Sequence, residues 1–375
     1  MIRYAGRVDT NLFPTPVGVD DRDPILELPK VSVHDHLDGG LRASTLIELA
    51  DEAGFELPSG DPSDIRARIL GASNSGSLER YLESFAWTVS VMQTADALTR
   101  VAREWVLDQA ADGVFYAEAR WAPEQHVQGD LDMDAAVEAV QAGLNEGTAL
   151  VAEAGKFIRV GQILTAMRHA KKSVAVAELA LRHRDNGVVG FDLAGAEAGN
   201  PPSAHLTACE ALHAACFPMT IHAGEGAGVD SIFEAVQVCH TQRIGHGVRI
   251  VEDMDIIDGQ GSLGDLSSWI LDRQLPLELS PTSNIHTGAA DSIETHPITG
   301  LKDLGFAVTI NPDNRLMSGT SVSKEMRLLV DRAGWDQADL EWVTVNALNA
   351  AFLPLDVRER LLDELVIPGF ARIEL

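Results

Sequence analysis

The 375-residue sequence is short of positive charge, of cysteine and of long apolar runs. Its 29 lysines and arginines face 56 aspartates and glutamates, leaving a formal net charge of −27. A field of that sign repels polyanions, so nucleic acid and an anionic membrane face are poor partners, and a heavily phosphorylated substrate is disfavoured. Only Cys209, Cys216 and Cys239 carry thiols, in an apolar, helical-looking region without the C-x-x-C spacing of a zinc or redox site. Buried free thiols in a reducing cytosol are expected. No stretch approaches the ~18 continuous apolar residues that a membrane span requires. The opening MIRYAGRVDTNLFPTPVGVDDRDP lacks the apolar segment of a secretory signal, so a cytoplasmic location is expected. Residues 1–30 suggest no role.

What is present is a large apolar fraction, 45% against 23% charged, enough for an extensive core. Eight short apolar runs recur: Val31–His36, Val114–Trp121, Phe157–Thr165, Val188–Leu193, Pro218–His222, Arg243–His246, Pro276–Leu279 and Ala307–Ile310. Several are almost continuously apolar, as strands buried on both faces must be. Amphipathic segments separate most of them, among them Asp134–Ala154, Val174–His183, Ala204–Ala215 and Ser231–His240. Eightfold strand–helix alternation predicts an α/β fold, a (β/α)8 TIM-type barrel. No repeat, low-complexity tract or linker divides it, so residues 1–375 are expected to form one domain. Two regions exceed a minimal barrel: a helical insertion at about 41–112, after the first strand, and C-terminal helices at about 322–375. Within the insertion, Leu78, Tyr81, Leu82 and Phe85 fall at i, i+3, i+4, i+7. Such a stripe packs into a core or, because loops after barrel strands emerge at the catalytic rim, covers a ligand.

Polar groups gather at the predicted strand ends. The first strand ends in VSVHDH, where alternation points His34 and His36 to one side and Asp35 to the other. The fourth ends FDLAG with Gly195, the fifth TIHAGEG with His222 and Glu225, the sixth RIGHG with His246. The seventh opens into SPTSN, and the eighth ends TINPDN with Asp313 and Asn314. Any one has an ordinary explanation, but parallel barrel strands bring all these ends to one rim. Three histidines and a carboxylate with an open position suit a single zinc ion, which lowers the pKa of water toward ~7. Glu225 and His246 remain for acid–base work. GEGAG lacks the spacing of either common phosphate loop; its glycines suit close packing.

VSVHDHLDGGLR, FDLAGAE, TIHAGE, RIGHGVRI, SPTSN and TINPDN, in that order over residues 28–320, resemble the motif set of the adenosine deaminases. The resemblance implies a barrel holding one Zn2+ per chain that deaminates adenosine, and by extension 2′-deoxyadenosine, a small purine nucleoside of salvage metabolism. It implies that His34, His36, His222 and Asp313 bind the metal. It makes Glu225 the acid protonating purine N1 and His246 the residue that positions the attacking hydroxide. His36, Asp38, Gly195 and Asn314 would meet the substrate: Asp38 near the ribose 5′-hydroxyl, Gly195 through its N–H, Asn314 at N7. Leu78, Tyr81, Leu82 and Phe85 would form a ribose lid. Many family members carry Asp-Asp where this chain has Asp313-Asn314.

Rival readings differ at identifiable residues. Adenine and related aminopurine deaminases usually read HLEG where this chain reads HLDG, so Asp38 favours the nucleoside, with adenine or a modified adenosine as the alternative. Two-metal amidohydrolases need a lysine at the fourth strand end, and Val188–Gly195 has none. A non-catalytic metal-binding barrel would have lost the acid or a ligand. Oligomeric state is not readable.

Overall fold

In the computed structural model, residues 12–257 and 260–375 are described. Eight parallel strands correspond to the eight apolar runs: β1 Lys30–His36, β2 Val114–Trp121, β3 Arg159–Met167, β4 Val188–Ala194, β5 Thr220–Ala223, β6 Arg243–His246, β7 Leu277–Leu279 and β8 Val308–Ile310. They form two four-stranded runs, β1-β2-β3-β4 and β5-β6-β7-β8, each pairing with its chain neighbours in parallel. Single parallel bridges join the runs at both edges, Asp35 with Asp313 and Phe191 with Met219. At the first seam the His36 N–H donates to the Asp313 carbonyl at 2.7 Å, and the Asp313 N–H to that of His34 at 3.1 Å. Parallel strands wrapped by helices are the α/β architecture that the alternation predicts.

Every residue of β2 is buried, because one face meets the helices and the other the ring interior. The interior is ionic in its middle. Arg243 pairs with Glu118 at 2.7 Å and Glu278 at 2.6 Å, while Arg120 meets Glu278 at 2.8 Å and Asp192 at 3.6 Å. Below this layer the Phe352 ring stacks on the Arg243 guanidinium, 3.7 Å from it. A buried charge is tolerated only when paired, and each of these is.

The insertion folds as helices Ala43–Ala53, Pro62–Ser73, Leu78–Glu83, Phe85–Val91 and Ala95–Ala111. The stripe from Leu78 to Phe85 therefore spans two short helices rather than one. They part at Ser84, whose hydroxyl donates to the Tyr81 carbonyl at 2.7 Å, a local bond that competes with the helical ladder. Helix Val229–Phe233 continues as a π-turn, Glu234–Val238, where a regular helix is expected. After β6, an antiparallel hairpin of Met254–Ile257 and Gln260–Leu263 was not foreseen; its four-residue arms are too short to carry a readable period. The C-terminal region forms helices Val322–Ala333, Gln337–Ala350, Leu355–Leu361 and Ile367–Phe370. All three thiols are free, but Cys216 is exposed rather than buried. No helix among the described residues is long and apolar enough to cross a membrane.

Candidate active site

Side chains from the ends of β1, β5, β6 and β8 converge at one rim. Ligand-capable atoms of His34, His222, His246 and Asp313 all lie within 4.8 Å of one another. His36 faces the same point: its Nε2 is 3.3 Å from His222 Nε2 and 3.3 Å from Asp313 Oδ1. His34 Nε2 lies 3.1 Å from Asp313 Oδ1. Alternation along β1 does turn Asp35 outward, where it accepts from Arg315 at 2.9 Å and from Gln109. His246 and Asp313 hold left-handed backbone conformations, φ 61° and 58°. Such angles cost on the order of 1–3 kcal/mol for residues with a Cβ, and functional sites are where that strain accumulates.

The far nitrogen of two imidazoles is fixed by a buried carboxylate. His34 Nδ1 lies 2.9 Å from Glu278, and His222 Nδ1 lies 3.0 Å from Asp192. Each Nε2 is thereby aimed at the cluster, the outer arrangement that metal-binding histidines commonly show. Ser283 donates to Asp313 Oδ2 at 2.6 Å, leaving Oδ1 to the imidazoles. Burial pushes His36 down to about 3 and also lowers His222, keeping both in the neutral form that binds cations. Burial and the Arg120 guanidinium disfavour charge on His34, yet the Asp313 and Glu278 carboxylates outweigh them and raise its pKa. Three buried imidazoles gathered around one carboxylate oxygen could hold a metal ion, and a cation in that place would take over the role of a proton on His34.

Glu225 stands beside this cluster. Its Oε1 accepts from the Thr287 hydroxyl at 2.9 Å, and its Oε2 is 3.4 Å from His246 Nε2. Burial, reinforced by the Asp313 and Glu197 charges, raises the Glu225 pKa well above the ordinary range. A carboxyl group in such surroundings is poised to donate a proton. Its loop is held from below. Glu197 accepts the backbone N–H groups of Gly224, Glu225, Gly226 and Ala227 at 2.7–3.0 Å. The glycine-rich segment therefore does wrap an anion, the chain's own carboxylate.

A cavity of about 350 Å³ opens next to the cluster, lined by His36, Asp38, Leu82, Phe85 and Gly195 among others. That is within the usual range for a small-molecule pocket. Gly195 adopts φ +100°, and a Cβ there would sit 3.0 Å from Met167 Cε. Asp38 Oδ2 faces the Ala122 N–H and His126 at 3.4 and 3.5 Å, while its buried Oδ1, 4.0 Å from His36 Nδ1, has no hydrogen-bond partner among the described residues. Burial alone would raise its pKa, but the His126 hydrogen bond and nearby imidazoles hold it low. Two acidic side chains, Glu79 and Glu83, also line the cavity.

The lid stripe divides. Leu82 and Phe85 form cavity wall. Tyr81 is buried, its hydroxyl 2.9 Å from Ser318, and Leu78 packs over Gly226, its Cδ2 2.8 Å from where a Cβ would stand. Asn314 is buried against Gly39, and its Oδ1 has no hydrogen-bond partner among the described residues. The sequence assigns no role to the supporting residues Asp192, Glu278, Arg120, Glu197, Asn284 and Thr287, although Asp192, Glu197 and Asn284 lie within FDLAGAE and SPTSN. The available signal was a charged residue inside an apolar run, as in VFYAEARW and PLELS.

A model of the adenosine deaminase family matches residues 29–367. Adenosine deaminase 1 of Streptomyces coelicolor is 51% identical over 354 residues, 94% of this chain and 89% of that protein. An adenine deaminase from Arthrobacter aurescens superposes with TM-score 0.79 at 26% identity, over 90% of this chain and 98% of its own. A zinc-bound amidohydrolase from Burkholderia ambifaria shares the fold, with TM-score 0.80 at 23% identity over 96% and 97% of the two chains.

Proposed function

The chain belongs to the adenosine deaminase family, and from that premise we propose that it hydrolyses adenosine, and 2′-deoxyadenosine, to the inosine nucleoside and ammonia. The observation that carries this reading is Glu225, a carboxyl held toward its protonated form within 3.4 Å of His246, beside three further imidazoles and Asp313. The donors of His34, His36, His222 and Asp313 fit one zinc ion, which when bound would make hydroxide available near neutrality. The residues around it have separable tasks. Glu225 gives its proton to purine N1 as water's oxygen adds at C6, which lowers the cost of breaking ring aromaticity. His246 orients the incoming oxygen. The amino group takes one proton of the added water and departs from C6 as ammonia, leaving the inosine base, while the water's other proton restores Glu225. Gly195 offers its N–H to the purine, Asn314 its amide to N7, and Asp38 Oδ1, without a hydrogen bond among the described residues, accepts from the 5′-hydroxyl.

Leu82 and Phe85 cover the ribose, and Glu79 and Glu83 oppose a 5′-phosphate by like charge. These walls favour a nucleoside over AMP. Cytoplasmic purine salvage is the corresponding setting. The same scaffold acting on adenine or a modified adenosine is the second reading, supported by the likeness to the Arthrobacter adenine deaminase. Ammonia release from adenosine, 2′-deoxyadenosine, adenine and AMP, with metal content measured on the same sample, tests both. The proposal expects turnover of the two nucleosides and about one zinc per chain. Turnover of adenine alone, or of none, overturns it.

A further inference from the structure

Behind His246 runs a hydrogen-bonded chain whose direction is set by a backbone amide. The Ile298 N–H, at the start of helix Pro297–Asp303, donates to His296 Nδ1 at 3.1 Å. A backbone N–H can only donate, so His296 Nδ1 bears no proton. His296 is buried, which pushes its pKa down to about 3 and keeps the ring neutral. Its proton therefore sits on Nε2, 3.2 Å from Asn284 Oδ1. That oxygen also faces the Ser280 N–H at 3.4 Å. Two donors on one side of the Asn284 amide leave its nitrogen pointing the other way, to His246 Nδ1 at 3.1 Å. Because the amide nitrogen donates, His246 Nδ1 must accept. An imidazole whose Nδ1 accepts carries its one proton on Nε2, here the atom 3.4 Å from Glu225.

We propose that His296 and Asn284 are positioning residues that lock His246 in the Nε2–H tautomer, so that it presents a donor, not a lone pair, to the reaction centre. The arrangement separates His246 from the other imidazoles. His34 and His222 give Nδ1 to carboxylates and keep an Nε2 lone pair for a cation, whereas His246 is wired in the opposite sense. His246 then holds the attacking oxygen by donating to it and is unavailable as a metal ligand through Nε2. The tautomer stands independently of the substrate; only its kinetic effect rests on the deaminase reading.

The direct test is the 15N spectrum of histidine-labelled, zinc-loaded wild-type protein, with His246 assigned by its loss in His246→Gln. A protonated Nε2 and bare Nδ1 are expected; the opposite tautomer in the wild-type protein overturns the proposal. Replacing His296 by Phe removes the donor to Asn284 and should yield a mixed His246 signal. Adenosine kcat should then fall about 10–10⁴-fold, the range seen when general acid–base groups or their tautomers are misset, with KM little changed. His296→Gln, whose amide can still donate to Asn284, should restore much of the loss. Asn284→Asp, which only accepts at neutral pH, should move the proton to Nδ1. An unchanged spectrum and kcat in His296→Phe would reduce His296 to a helix cap. A correct wild-type tautomer in a protein that leaves adenosine untouched would instead sink the deaminase reading alone.

Discussion

Glu278 Oε2 lies 2.9 Å from His34 Nδ1, with both side chains fully buried. The same oxygen meets Arg120 at 2.8 Å, so one carboxylate orients an imidazole of the rim and is itself fixed by a cation of the barrel interior. Changing Glu278 to Gln removes that charge while keeping the shape. Metal affinity, read by competition with a chelator, should fall about 10–100-fold. Thermal stability should drop as well, because Arg120 and Arg243 lose a partner. Lower stability with undiminished metal affinity would confine Glu278 to the fold.

Glu225→Gln should abolish deamination, about 10²–10⁴-fold or more in kcat/KM, since an amide has no proton to give. Zinc content should remain near that of the wild type, and its loss would reassign Glu225 to the metal. In the unaltered protein the acid works only when protonated. Its raised pKa therefore keeps activity to higher pH than an ordinary glutamate would, with loss as pH climbs through that value.

Phe85 forms cavity wall, and trimming it to Ala should weaken adenosine kcat/KM by about 1–3 kcal/mol, the scale of a lost buried apolar contact. Binding of free adenine, measured as competitive inhibition, should change much less. Equal losses for both ligands would place Phe85 in general packing.

Asn314→Ala should cost about 1–3 kcal/mol in kcat/KM by leaving purine N7 unpaired in a dry site. The control is 7-deazaadenosine, which has carbon there. If the variant still discriminates against the analogue as strongly as the parent does, Asn314 does not read N7.

Lys30 is wholly buried, its Nζ 2.9 Å from the Leu28 carbonyl, and burial lowers its pKa to about 8 from 10.5, despite Asp112 and Asp23. Between these values the unfolded chain holds the proton and the folded one releases it, so stability rises with pH. The gain attributable to Lys30 should approach about 3 kcal/mol between pH 8 and 10.5. Denaturant titrations of the wild type and Lys30→Met should converge or cross over that window. Parallel curves would mean that Lys30 titrates normally.

Strand positions were legible because the runs are short, apolar and bounded: β2 and β6 begin and end at the residues read from the sequence. The break at Ser84 was not, because two successive helices keep nearly the spacing of one and only a side-chain bond to the Tyr81 carbonyl parts them. Rim residues announced themselves by sitting at strand ends. Their supports did not. Glu278 and His34 are 244 residues apart, and nothing local shows which buried charge finds which imidazole. Likewise the helical stripe gave four residues on one face, but only the folded insertion shows that Leu82 and Phe85 reach the cavity while Tyr81 turns to Ser318.

The loop around Glu197 has a consequence for what the protein can evolve into. Four consecutive amides clasp a carboxylate that belongs to the chain itself, so their capacity for an anion is already saturated. A nucleotide's phosphate arriving there would have to evict a tethered competitor present at very high effective concentration. The segment looks like an anion receptor but behaves as a plugged one, and a descendant that accepted nucleotides would need to recruit its phosphate contacts elsewhere on the rim.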